Sequence, residues 1–152
     1  MNKNIKVLDE VCKGAKMGME AICYVSDKTH DDAFKTVLID EYSMYADILH
    51  KIDNAYSNYG EIPIDTNIKD KAFLWYGIQV NTIKNTSNSK LSEMLMQGTN
   101  MGIIEGRKLL NNNKDLDKNV DKLLNDFVKF QEETVETLKQ YLWFFIIYFL
   151  NK

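Results

Sequence analysis

Glu41 and Glu105 are the residues of this chain best placed to do chemistry. With residues set at 100° intervals around a helix, Glu41 falls in the middle of an apolar face formed by Val37, Leu38, Met44 and Tyr45. Glu105 falls in line with Leu91, Gly98, Gly102 and Leu109, and is expected on an inner face. Gln131 and Thr134 point inward among Leu124, Phe127 and Leu138. An ionised carboxylate buried without a partner is very costly, so each acid must be paired, protonated or solvated. One reading is an interior hydrogen-bond network with Tyr45, Gln131 and Thr134, fixing register and orientation. Another is a metal or small-ligand pocket in which Glu41 and Glu105 are the metal ligands.

The remaining reactive side chains point to less. Cys12 and Cys23 fall within one helix, roughly 16 Å apart along its axis at the helical rise, so they cannot bridge within one chain. Both lie on or near an apolar stripe and read as small core residues. His30 sits at a helix start and His50 projects from the far side of its helix, as surface residues do. No glycine-rich phosphate loop follows a strand, and no paired Cys-x-x-Cys suggests zinc. A net charge of -3 lacks the strongly basic patch of a nucleic-acid binder. With no disulfide framework and a charged N-terminus unlike a signal peptide, a cytoplasmic protein is expected.

The elements that must position these residues are helices. The 152 residues hold one proline and seven glycines, so long stretches are free to be helical. Ile5, Leu8, Cys12, Ala15, Met19 and Ile22 recur at spacings of three and four, predicting a helix over 3–26. A second helix is expected over 31–58, ended by Gly60 and Pro63. A short helix over 67–85 carries Phe73, Trp75 and Tyr76. Long helices follow over 89–111 and from 116 onward, separated by an asparagine-rich turn. Short connections make the first and last pairs antiparallel hairpins, and roughly thirty residues between them suit a crossover.

Gly14-Ala15-Lys16-Met17-Gly18 is matched by Gly98-Thr99-Asn100-Met101-Gly102, both mid-helix, and Gly106 extends the second series. A mid-helix glycine costs about 1 kcal/mol relative to alanine, so it needs a reason. Close helix packing is favoured over ligand contact, with the two helices crossing at their glycine patches.

This layout of two helical hairpins and a long crossover resembles the ferritin-like superfamily. It is also similar to small ferritin-like proteins of low-GC bacteria that carry a Gly-x-x-Met-Gly motif. The resemblance covers about residues 3 to 141. It implies an all-α, antiparallel four-helix bundle with a short fifth helix in the crossover. In di-iron members, carboxylates face inward from all four helices and two helices add Glu-x-x-His. Here Glu41 is followed at the third position by Met44, and Glu133 by Glu136, so both histidines are missing. The first helix offers no inward acid. The expectation is a bundle without a di-iron site and without catalysis, needing no cofactor, that works by self-association or partner binding. The alternative is an irregular iron or manganese site on Glu41 and Glu105.

The C-terminal stretch is apolar on all sides from Tyr141 to Leu150. As a helix it would span roughly 15 Å, about half a bilayer core. We therefore divide the chain into a bundle, 1–141, and an apolar extension of the last helix, 142–152. Trp143, Phe144 and Ile147 are its expected contacts, on the short-helix aromatics or in a homo-oligomer seam, with membrane contact ranked second.

Overall fold

The computed structural model describes residues 2–64 and 71–143, leaving aside the side chains of residues 71–73 and 75. It is all-helical: α1 (Lys3–Ser26), α2 (Asp32–Ser57), α3 (Lys71–Thr82), α4 (Asn88–Asn112) and α5 (Lys118–Lys139), with no strand among the described residues.

The helix starts follow from local chemistry. Asn2 accepts from the Asn4 N–H to cap α1. Asp31 accepts from the Phe34 N–H at 2.9 Å to cap α2. That bond, with a second from the Asn88 side chain, holds the Asp31 carboxyl below the usual carboxylate range. Ser87 does the same for α4 through the Lys90 N–H. Each cap satisfies a backbone donor that the helix itself leaves open. Past α2, Gly60 takes a φ of +66°. That turn lets the Glu61 N–H reach back to the Tyr56 carbonyl, as in a glycine-terminated helix.

Helix α1 packs along α2, and α4 along α5; α1 also meets α4 and α3, and α2 meets α5. The apolar stripes converge on a core in which Leu8, Val11, Phe34, Leu38, Ile52, Leu91, Leu124 and Leu138 are fully buried. At one end of the molecule Lys3 pairs with Asp115, the Asp117 N–H donates to Asn4, and Tyr56 donates to Asp9. At the other end Asn88 bonds to Asp31, and the Phe34 and Tyr141 rings lie with centroids 4.9 Å apart.

Several side chains lie elsewhere than the periodicity suggests. Met44, expected on the inner face of α2, is exposed. Cys23, expected in the core, is exposed too, whereas Cys12 is buried as anticipated. Both sit at the edge of their stripes, where a small rotation of the helix chooses between core and solvent. Helix α5 ends at Lys139, and Leu142 and Trp143 beyond it are not helical. The backbone of Trp143 is held by the Ser89 hydroxyl, and its side chain is half exposed. The other expected tail contacts, Phe144 and Ile147, lie outside the described residues, as do the side chains of Phe73 and Trp75. No helix among the described residues is long and apolar enough to cross a membrane.

Candidate functional site

A cavity of about 590 Å³ runs along the seam between α1 and α4. Its size falls within the range of small-molecule sites. All five glycines of the two motif helices line it: Gly14 and Gly18 from α1, and Gly98, Gly102 and Gly106 from α4.

The glycines do not serve as the expected mutual crossing point. Their nearest neighbours are side chains from other helices. A methyl group at Gly18 would lie 2.4 Å from Cζ of Tyr45, and one at Gly14 would lie 3.2 Å from Cζ of Phe127. One at Gly102 would fall 2.1 Å from Nε2 of Gln131, and one at Gly106 2.5 Å from Cγ2 of Val128. At Gly98 the nearest atom, Cε2 of Tyr76, is an ordinary 3.5 Å away. The missing side chains thus let α2, α3 and α5 push Tyr45, Tyr76 and Gln131 up to the α1–α4 backbones. Those residues then form the polar wall of the cavity.

Tyr45 is the centre of that wall. Its ring stands edge-on to Phe130, with centroids 4.8 Å apart, and to Phe127 at 6.5 Å. Burial pushes its hydroxyl up to about 12, while Gln131 and Thr99 interact with it from α5 and α4. The Thr99 hydroxyl donates to the Leu95 carbonyl at 2.7 Å. The Gln131 amide meets the same phenol, and its Oε1 is buried without a partner.

Glu41 lies one helical turn from Tyr45 and also lines the cavity. Only 7% of it is exposed, and its Oε1 has no hydrogen-bond partner. Burial pushes its carboxyl up to about 8, because nothing nearby offsets the lost hydration of the charged form. At neutral pH it is mostly a neutral acid.

Glu105 behaves differently. Its side chain is 69% exposed and pairs with Lys108 at 2.9 Å. It lines the same cavity as Glu10, Lys13 and Lys108 but lies in solvent, whereas Glu41 is buried. Its position, one residue from Gly106 at the edge of the α4 stripe, lets a long charged side chain turn to water.

Of the expected network, Tyr45 and Gln131 meet, while Thr134 is buried outside the cavity wall. Thr99 and Tyr76 belong to the site and escaped the sequence reading. Thr99 carried a signal, because Leu91, Leu95 and Thr99 form one row at four-residue spacing. Tyr76 carried none, since its approach depends on how α3 lies against the rest. Among the described residues, no three His, Cys, Asp or Glu side chains gather where they could hold a metal ion. One buried carboxylate and one turned out to Lys108 do not fit the iron or manganese centre that the resemblance implies. The chain matches no family model, no curated protein and no solved structure.

Proposed function

We propose that this chain is a non-enzymatic binding protein, an antiparallel four-helix bundle of ferritin-like layout whose α1–α4 seam holds a small amphipathic molecule. The observation that carries this reading is the cavity itself. Five glycines line it along the seam, and two buried polar side chains of its wall, Glu41 and Gln131, have unpartnered oxygens. An unpaired buried polar atom costs about 1–3 kcal/mol, and a bound ligand is one way to relieve it. Met17, Ile22, Leu95 and Phe127 supply an apolar wall for the body of such a molecule. The bundle layout is supported by the contacts at the two ends. They join the start of α1 to the end of α4, and the start of α2 to the end of α5.

The test uses the neutral fluorophore N-phenyl-1-naphthylamine. We expect saturable binding at one molecule per chain, seen as a blue-shifted rise in fluorescence. Ala21→Trp fills the wall of the cavity and is expected to weaken binding at least tenfold while helicity by circular dichroism stays unchanged. Undiminished binding in that variant would place the fluorophore elsewhere and sink the reading.

Self-association is a second binding mode, favoured by large apolar side chains left in solvent. Ile39 and Met44 of α2, Ile78 of α3 and Ile104 of α4 are all exposed. Light scattering coupled to size exclusion should return a mass of at least twice 17.7 kDa. A concentration-independent monomer would refute it.

A further inference from the structure

We propose that the ligand of the α1–α4 cavity carries a protonated amine on an aromatic or aliphatic body, and that the ammonium is received by Glu41 and Gln131 among the rings of Tyr45, Tyr76 and Phe127. This inference rests on the ligand-binding reading above and names the chemical class.

Gln131 Oε1 is an acceptor, and its residue is only 2% exposed. Glu41 Oε1 is an acceptor once the carboxyl ionises, and its residue is more than nine-tenths buried. A ligand that satisfies both must therefore bring at least two hydrogen-bond donors on one group, as an ammonium does. The surroundings select among donors. Three aromatic rings line the same cavity, and aromatic faces attract cations. The two lysines of the lining, Lys13 and Lys108, are matched by two further carboxylates, Glu10 and Glu105, and Lys108 pairs with Glu105 at 2.9 Å. An anionic head could be met only by a Glu41 that keeps its proton, and the Gln131 oxygen would repel it. A neutral hydroxyl could satisfy one acceptor only.

Proton balance gives the proposal its signature. The titratable groups that share the cavity wall with Glu41 are Tyr45 on its own helix, Tyr76 on α3, Glu10 and Lys13 on α1, and Glu105 and Lys108 on α4. Helix α5 contributes the neutral Gln131 and Phe127. Free Glu41 is mostly protonated at pH 7, since burial pushes it up to about 8. When the ammonium enters, the Glu41 proton leaves to solvent and a carboxylate–ammonium pair remains. The ammonium keeps its own protons, because alkyl amines titrate near 10.4, as lysine does. Binding therefore releases close to one proton, and affinity rises with pH until free Glu41 is already ionised.

The test compares 4-phenylbutylamine, 4-phenyl-1-butanol and 4-phenylbutanoate by titration calorimetry on the full chain, in buffers of different ionisation enthalpy. We expect the amine to bind at least tenfold more tightly than the alcohol, with the carboxylate weakest. About one proton should be released per amine at pH 7. Amine affinity should rise about tenfold from pH 6 to 7 and level off above 8. Glu41→Gln should abolish both the amine preference and the proton release while alcohol binding persists. Gln131→Met should weaken amine binding and leave proton release in place. An alcohol or carboxylate that binds as tightly as the amine overturns the proposal, as does an amine preference that survives in Glu41→Gln. Either result leaves the ligand cavity standing. If none of the three compounds binds, the proposal falls. Binding of N-phenyl-1-naphthylamine then decides whether the cavity reading falls with it.

Discussion

Glu41→Gln is expected to raise the stability of the protein at neutral pH and above, and to raise it more as the pH increases. A buried acid held up to about 8 keeps its proton in the folded state at pH values where the unfolded chain, with an ordinary value of 4.5, has lost it. The folded state then binds more protons than the unfolded state, so stability falls as pH rises through that interval. The stabilising condition is fully present below pH 4.5 and is lost by about pH 8. At one pKa unit per 1.36 kcal/mol, the cost is of the order of 3 kcal/mol at pH 7 and approaches 5 kcal/mol above pH 8. A glutamine of the same shape does not titrate. It brings its own unsatisfied amide, worth about 1–2 kcal/mol, but that offset does not vary with pH. Urea denaturation at pH 5, 7 and 9 measures the difference. Parallel pH profiles for the two proteins would show that Glu41 is solvated or paired. The same measurement with 4-phenylbutylamine present should bring the two profiles closer above pH 7, because the amine gives the carboxylate a partner.

Gly18→Ala is expected to destabilise the protein by about 1–3 kcal/mol, although alanine is the better helix former by about 1 kcal/mol. The new methyl group would lie 2.4 Å from Cζ, 2.7 Å from Cε1 and 2.8 Å from the hydroxyl oxygen of Tyr45. The ring packs edge-on against Phe130 and Phe127, so it can give way only by moving into the cavity it lines and losing those contacts. Overpacking therefore wins over propensity. Gly98→Ala is the matched control. Its methyl would meet Tyr76 at an ordinary contact distance of 3.5 Å, so the propensity gain should survive and stability should rise by up to about 1 kcal/mol. Thermal and urea unfolding of both variants decides the matter. Equal stabilisation by the two substitutions would mean that the glycines are not there to admit side chains. The effect on the cavity should separate them as well: displacement of Tyr45 in Gly18→Ala is expected to weaken N-phenyl-1-naphthylamine binding, and Gly98→Ala is expected to leave it near the original level.

The two predictions concern different parts of one design. The glycines leave room at the α1 and α4 backbones, and the large residues of the other helices come up to the space. Glu41 and Gln131, whose buried oxygens lack partners, line a volume that the protein itself does not fill.

Much of this could be read without coordinates. The five helices follow from three-and-four spacing and from the breaks at Gly60 and the asparagine-rich turn. Local chemistry decides such features, so they are written locally. The burial of Glu41 and Gln131 was legible for the same reason, since each sits mid-stripe, where no modest rotation of the helix could expose it. Residues at stripe edges were not legible. Glu105, Met44 and Cys23 each turned outward, because periodicity gives an angle about the helix axis and leaves the final few tens of degrees to the neighbours. The purpose of the glycines was the furthest from view. Their spacing on α1 and α4 suggested two backbones in contact, and only the tertiary structure shows side chains of α2, α3 and α5 occupying those places. A glycine records that something approaches closely. What approaches is a property of the partner helix, and it is decided when the helices pack.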